Sequence, residues 1–327
     1  MKKQLPAILL SAAMTLSLFA GCGGTQPKQD DNFTVVTTIY PIYDWLLHLK
    51  NGAEKVEVKL LLSDGKDIHN YQPTAADMVT IKDSDYFIYV GGESDQWVSD
   101  SVSQFFKTGE STGHAVSMMD ILGDNAKNEE VVEGMQAEEE DEDDALDEHV
   151  WLSLKNAKLF CRELAQGLAD ANPENAQIYK TNEKVYTQQL DALDQKYTEA
   201  LTKQNKEYDT LLFGDRFPFR YLVDDYQLKY YAAFNGCSAE SEAGVDTIAF
   251  LAKKLDELQL PAVMMTETSD GKIARTIINT SQNKKAETLI LHSLQSISGE
   301  WQDGEGHYLE TMEKNLEVLK QALKVSA

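Results

Sequence analysis

Cysteine, histidine and basic side chains are all scarce in this chain, and each scarcity excludes something. Three cysteines in 327 residues, Cys22, Cys161 and Cys237, cannot build a disulfide framework, and none belongs to a CxxC pair of the kind that holds structural zinc. Stability therefore rests on an apolar core, for which 42% apolar residues suffice. Thirty Lys and Arg stand against 54 Asp and Glu, a formal net charge of −24, so there is no basic face to track phosphate and no nucleic-acid partner is expected. Half of that excess is local. Residues 129–148 hold twelve carboxylates and no Lys or Arg, which reads as a solvated, disordered loop.

Long apolar runs are missing too. The one at residues 5–20 follows Lys2 and Lys3, is short for a bilayer span, and ends in Ala20-Gly21-Cys22, so residues 1–21 read as a signal peptide. Cys22 and the polar residues 22–32 resemble a bacterial lipobox and tether, in which the thiol is lipidated and the folded part stands clear of the membrane. Phe19 departs from the Leu usual three places before the cysteine, and an ordinary secretory signal with an incidental cysteine is the alternative. The expected place is extracytoplasmic, lipid-anchored to the outer face of the cytoplasmic membrane.

Beyond residue 32 short β-rich runs alternate with helical spacing. Strands are expected at 33–39, 56–62, 86–90 and 115–118, with helices at 74–82 and 95–106 between them. A second set repeats the pattern: strands at 209–213, 229–234, 262–266 and 287–291, helices at 247–258, 272–281 and 307–323. The fold class is α/β, two parallel-sheet lobes of about four strands each, flanked by helices. Between an N-terminal lobe at 33–152, which contains the acidic loop, and a C-terminal lobe at 207–327 lies a helical connector, 153–206. Its second part, 173–204, carries Ile178, Val185, Leu190, Leu193, Tyr197 and Leu201 at helical intervals and reads as one long rigid helix joining the lobes. The heptad is too irregular for a coiled coil, so the stripe faces the core and the chain is expected to be a monomer.

In open α/β sheets ligands bind beyond the carboxyl ends of strands. Three of the six histidines fall there: His69 after the second strand, His149 between the acidic run and the connector, and His292 at the end of the last strand. Each alone is an ordinary surface or core residue, as His48, His114 and His307 are taken to be. Together, neutral imidazoles from both lobes make a nitrogen site suited to Zn²⁺, whereas Mn²⁺ and Mg²⁺ want more oxygen. Cys237 is either a thiolate donor or a small buried residue beside a strand end, and Cys161 packs in the core. Glu267 is either a cleft residue or a helix-terminus carboxylate.

Around these histidines the chain resembles a known family, the zinc- and manganese-binding substrate-binding proteins of bacterial ABC transporters. Asp67-Ile68-His69-Asn70-Tyr71-Gln72-Pro73 is similar to its GxDxHxYxP segment. Asp147-x-His149-x-Trp151-Leu152-Ser153-x-x-Asn156-Ala157 resembles a second signature, and Tyr308, Met312, Asn315-Leu316 and Leu319 a C-terminal one. The resemblance implies two lobes joined by a long helix, a metal held between them, an ABC permease as partner, and no enzymatic step. In zinc-handling members a His-rich loop precedes the second signature, and here the acidic tract stands in its place. Two departures bear on the site. Arg216-Phe217-Pro218-Phe219-Arg220-Tyr221 replaces a pattern like HxAFxY, and an arginine cannot ligate. Leu291-His292-Ser293-Leu294 replaces a stretch that often carries Asp.

The expected ligands are therefore His69, His149 and His292, binding Zn²⁺, with Mn²⁺ the alternative. Arg216 beside a dication needs compensating carboxylates. Glu240 or Glu242 is expected to pair with it or to fill a fourth position, for which water and Cys237 also compete. The leading function is a metal receptor that feeds a permease. The alternatives are a zinc hydrolase using a carboxylate such as Glu240, although nothing resembles HExxH, or a surface adhesin without metal.

Overall fold

The structure is a computed structural model and describes residues 32–63, 67–108, 113–136, 145–202, 205–238, 242–295 and 307–326. Signal peptide and tether, with Cys22, lie outside the described residues.

The first sheet is built from β1 (Phe33–Thr37), β2 (Val56–Leu60), β3 (Tyr86–Tyr89) and β4 (His114–Ser117), in the order β2-β1-β3-β4, all parallel. Its helices are α1 (Tyr40–Lys50), α2 (Ala75–Lys82), α3 (Ser103–Thr108) and α4 (Met118–Leu122). The middle strands are buried on both faces, as Val35, Val36, Phe87 and Ile88 show, which is why they read as continuous apolar runs. The second sheet repeats the order as β6-β5-β7-β8, from β5 (Thr210–Arg216), β6 (Lys229–Phe234), β7 (Ala262–Met265) and β8 (Glu287–Ile290). Between the sheets run α5 (Leu154–Ala171) and α6 (Ala176–Ala200); α7 (Arg220–Asp225), α8 (Val245–Glu257), α9 (Lys272–Thr280) and α10 (His307–Leu323) belong to the second half. The order places both switch points, β1/β3 and β5/β7, at the carboxyl ends that face the candidate site.

Local chemistry explains several boundaries. Thr74 caps α2, accepting from the Asp77 amide while Asp77 reaches back to the Thr74 amide. Ser153 caps α5 through the Asn156 amide. α6 is the long helix anticipated between the lobes, 25 residues and about 37 Å at 1.5 Å per residue. Its buried stripe is Tyr179, Tyr186, Leu190, Leu193, Tyr197 and Leu201. Val185, expected on that face, is 55% exposed instead, because tyrosines fill the stripe and send their hydroxyls to polar partners. Tyr186 donates to Asp44 at 3.3 Å and Tyr197 to the Met312 carbonyl at 2.5 Å.

One continuous apolar core runs through both halves, from Val35, Trp45 and Phe160 to Tyr197, Phe213, Tyr308 and Leu319. A separate cluster, including Leu212, Leu251, Leu255, Val263 and Ile277, lies within the second half alone. Trp151 ties the halves together: its indole N–H donates to the Ser293 carbonyl at 2.9 Å, and its own carbonyl accepts from the Tyr308 hydroxyl at 2.6 Å.

The acidic run departs from a solvated loop where it is described. Residues 129–136 lie along the second half: the Gln136 amide donates to the Ala233 carbonyl, and Glu130 meets Arg220 and Tyr230. Asn128 then pairs with Leu146 as the chain returns. Donors on the second half give these carboxylates partners that composition alone does not reveal. Residues 137–144 lie outside the described residues.

Candidate metal centre

Two D-x-H segments bring the first two imidazoles together. His69 sits on a short 3-10 turn, Ile68–Asn70, whose start is fixed by Asp67 accepting the His69 amide at 3.1 Å. His149 precedes the turn that leads into α5, and Asp147 Oδ1 accepts both its backbone amide, at 2.8 Å, and its ring Nδ1, at 3.0 Å. His69 Nδ1 lies 3.1 Å from Glu148 Oε1 and 2.8 Å from Ser94 Oγ. With each Nδ1 proton directed at a carboxylate, both Nε2 atoms keep their lone pairs. These nitrogens face one another at 3.3 Å.

The surroundings are dry and anionic. His149 and Glu148 are fully buried, and Ser94 donates to Glu148 through both its amide and its hydroxyl. Burial works against the charge on Glu148, but His69, His149 and Ser94 together hold its carboxyl below the usual glutamate range. Burial likewise opposes charge on His149, yet Asp147, Glu148 and Glu129 outweigh it and raise the imidazole above its ordinary value. Burial pushes the Glu129 carboxyl up; that side chain accepts from the Cys237 amide at 3.1 Å. Gly236 has the backbone pressed against the ring: a Cβ there would lie 2.8 Å from His149 Cε1.

His292 does not join this pair. The donor atoms within 4.8 Å of one another belong to His69, His149 and Cys237. His292 Nδ1 instead accepts the Leu294 amide at 3.0 Å, its own amide donates to Asn315 at 2.8 Å, and burial lowers its proton affinity. Leu294 adopts φ +60°, a left-handed turn that His292 holds shut and that aims the next residue inward. That residue is Gln295, whose amide nitrogen lies 2.8 Å from His69 Nε2 and 2.6 Å from His149 Nε2. Rotating the amide by 180° exchanges its nitrogen for its oxygen, so the same side chain offers an oxygen at that point. Glu267 is engaged in supporting the turn, accepting from the Ser293 amide and hydroxyl at 2.8 Å each.

Arg216 is also partnered otherwise than expected. Its guanidinium meets Asp67 at 2.9 Å, across the cleft, and donates to the Ser238 carbonyl at 3.4 Å. Glu242 is exposed and placed near Lys272, and Glu240 lies outside the described residues. The compensation comes from Asp67, Asp147 and Glu148, which sit on the histidine-bearing segments themselves, and from Glu129 on the acidic run. Gln295, Glu148, Ser94 and Glu129 went unnoticed in the sequence; the repeated D-x-H spacing was the one available signal.

Two α/β lobes with paired imidazoles at the strand ends between them define a two-lobed binding protein. The chain belongs to the family described as "ZnuA: Zinc-uptake complex component A periplasmic", which matches residues 35–322. It is similar to the high-affinity zinc uptake system protein ZnuA of Bacillus subtilis (strain 168), 29% identical over 340 residues and covering 100% of both chains. It is also similar to the zinc-binding lipoprotein AdcA of Streptococcus pneumoniae, 28% identical over 315 residues; these cover 96% of this chain and 60% of that longer relative. Among solved structures, the metal-dependent lipoprotein YcdH from Bacillus subtilis superposes with a TM-score of 0.70 at 25% identity, over 89% of this chain and 100% of its own.

Proposed function

We propose that the chain is an extracytoplasmic receptor that captures one divalent transition-metal ion, zinc, and delivers it to the permease of an ABC transporter. The facing nitrogens of His69 and His149, 3.3 Å apart, carry this reading. Two nitrogens on one tetrahedral zinc at about 2.0–2.1 Å lie about 3.3–3.4 Å apart, so the two rings already stand at the spacing the ion requires. Gln295, turned to present its oxygen, is a further donor, and the four nearby carboxylates offset the charge of the ion. Two imidazoles favour zinc over manganese. The ion is cargo; the protein performs no reaction on it, and the hydrolase alternative falls away with membership of an uptake family. A lipid on Cys22, supported by the apolar stretch that leads up to that cysteine, belongs to the same proposal, as does action as a monomer.

Titration calorimetry on protein stripped of metal should give one zinc per chain near neutral pH; no binding there would end the receptor reading. Affinity should weaken on acidification, because zinc must displace the imidazole protons. The carboxylates around His149 hold its proton to higher pH, so the weakening should begin above the ordinary histidine value of about 6.5.

Replacing Glu148 with Gln separates tautomer control from packing. The Ser94 amide donates to one Glu148 oxygen, so the Gln carbonyl takes that place and its NH₂ group faces His69 Nδ1. That ring then carries its proton on Nε2, where it blocks the ion. Zinc affinity should fall about 10–100-fold with the fold intact; unchanged affinity in chelator competition would remove this role from Glu148.

A further inference from the structure

The second half of the molecule brings little to the ion by the routes its sequence suggests. His292 is turned into its own loop, Arg216 is cationic and spent on Asp67, and Gln295 offers only a neutral amide. Cys237 is different. It follows β6, and its donor atom lies within 4.8 Å of those of both His69 and His149. Its backbone is held from two sides, by Glu129 accepting the Cys237 amide and by Arg216 donating to the next carbonyl while gripping Asp67 on the His69 loop. Its Sγ lies 3.7 Å from Glu148 Oε1.

We propose that Cys237 supplies a thiolate to the cargo ion, completing a set of two imidazole nitrogens and one sulfur, and that this sulfur sets the preference for Zn²⁺ over Mn²⁺. The inference rests on the receptor reading above and deepens it. With Zn–N near 2.0–2.1 Å and Zn–S near 2.3 Å, a tetrahedral nitrogen–sulfur edge is about 3.6 Å. One nitrogen of each ring already lies within 4.8 Å of the sulfur, and binding draws the Cys237 side chain in to that edge. Binding balances as one ion taken up and one thiol proton released to water, the S–H bond giving way to a metal–sulfur bond. The result is an anionic donor from the second half. Thiolate is soft and suits zinc, whereas manganese is held by oxygen ligands, so the sulfur acts as a filter on the ion admitted.

Cobalt reports the sulfur directly. The full mature protein loaded with Co²⁺ should show thiolate-to-cobalt charge-transfer absorption in the near ultraviolet, and Cys237→Ser should lose that band while still binding cobalt. The ratio of Zn²⁺ to Mn²⁺ affinity, read by competition, should fall about 10-fold or more in the variant. Cobalt and zinc binding to the unmodified protein without the charge-transfer band would overturn the role of Cys237 and leave the receptor reading standing. Absence of binding by either metal would overturn both. Because the band is read on the unmodified chain, poor folding of the variant does not rescue the proposal.

Discussion

Alanine at His69 or His149 should weaken zinc binding by about 10²-fold or more, beyond the 10–100-fold typical of residues that only support a ligand. Alanine at His292 should cost about 10-fold, the low end of that range, since His292 supports a ligand and is not one. The contrast follows from placement. The Nε2 atoms of the first two rings meet at 3.3 Å, whereas Nδ1 of His292 is taken by the Leu294 amide. Removing His292 relaxes the left-handed turn at Leu294 and lets Gln295 drift, a positioning loss. Competition against a chromogenic chelator measures all three variants together. Equal and large losses at all three positions would restore His292 as a direct ligand and refute the placement described here.

Trp151→Ala should lower stability by about 3–5 kcal/mol, a large part of the 5–15 kcal/mol by which domains are held folded. The indole is 1% exposed, stands beside the His149 ring at 5.3 Å between centroids, and donates to Ser293. Truncation leaves a cavity and also strands a buried carbonyl, the second loss alone costing about 1–3 kcal/mol. Trp151→Phe keeps most of the apolar surface and should show mainly that second cost. Urea unfolding followed by circular dichroism reads both. A loss below about 1 kcal/mol for the alanine variant would mean that this side chain does not knit the two halves.

The sheets were legible because their middle strands are buried on both faces and so stand out as short apolar runs; all eight strands lie within a few residues of their expected positions. Helix α1 was not, because Tyr40, Pro41, Ile42, Trp45, Leu46 and Leu49 bury it on nearly all sides and erase the amphipathic stripe. Element-end histidines pointed to the right region, and two of the three meet. His292 and Gln295 are only three residues apart in one loop, and which of them faces inward depends on a positive φ at Leu294 that no side-chain pattern announces. Arg216 demanded a carboxylate, but its partner, Asp67, comes from 149 positions earlier, a distance that spacing rules do not reach. The acidic run misled because composition counts charge without seeing Ser94, Cys237 and Arg220 waiting to receive it.

The unbroken interior shared by the two halves governs how a passenger gets out. Prising them apart would wet Trp45, Phe160, Tyr197, Phe213 and Tyr308, at about 1.5–3 kcal/mol for each large side chain exposed. Thermal motion does not supply that, so the two halves hold together as one body. Unloading such a carrier therefore has to free the ion from its donors without parting the two halves.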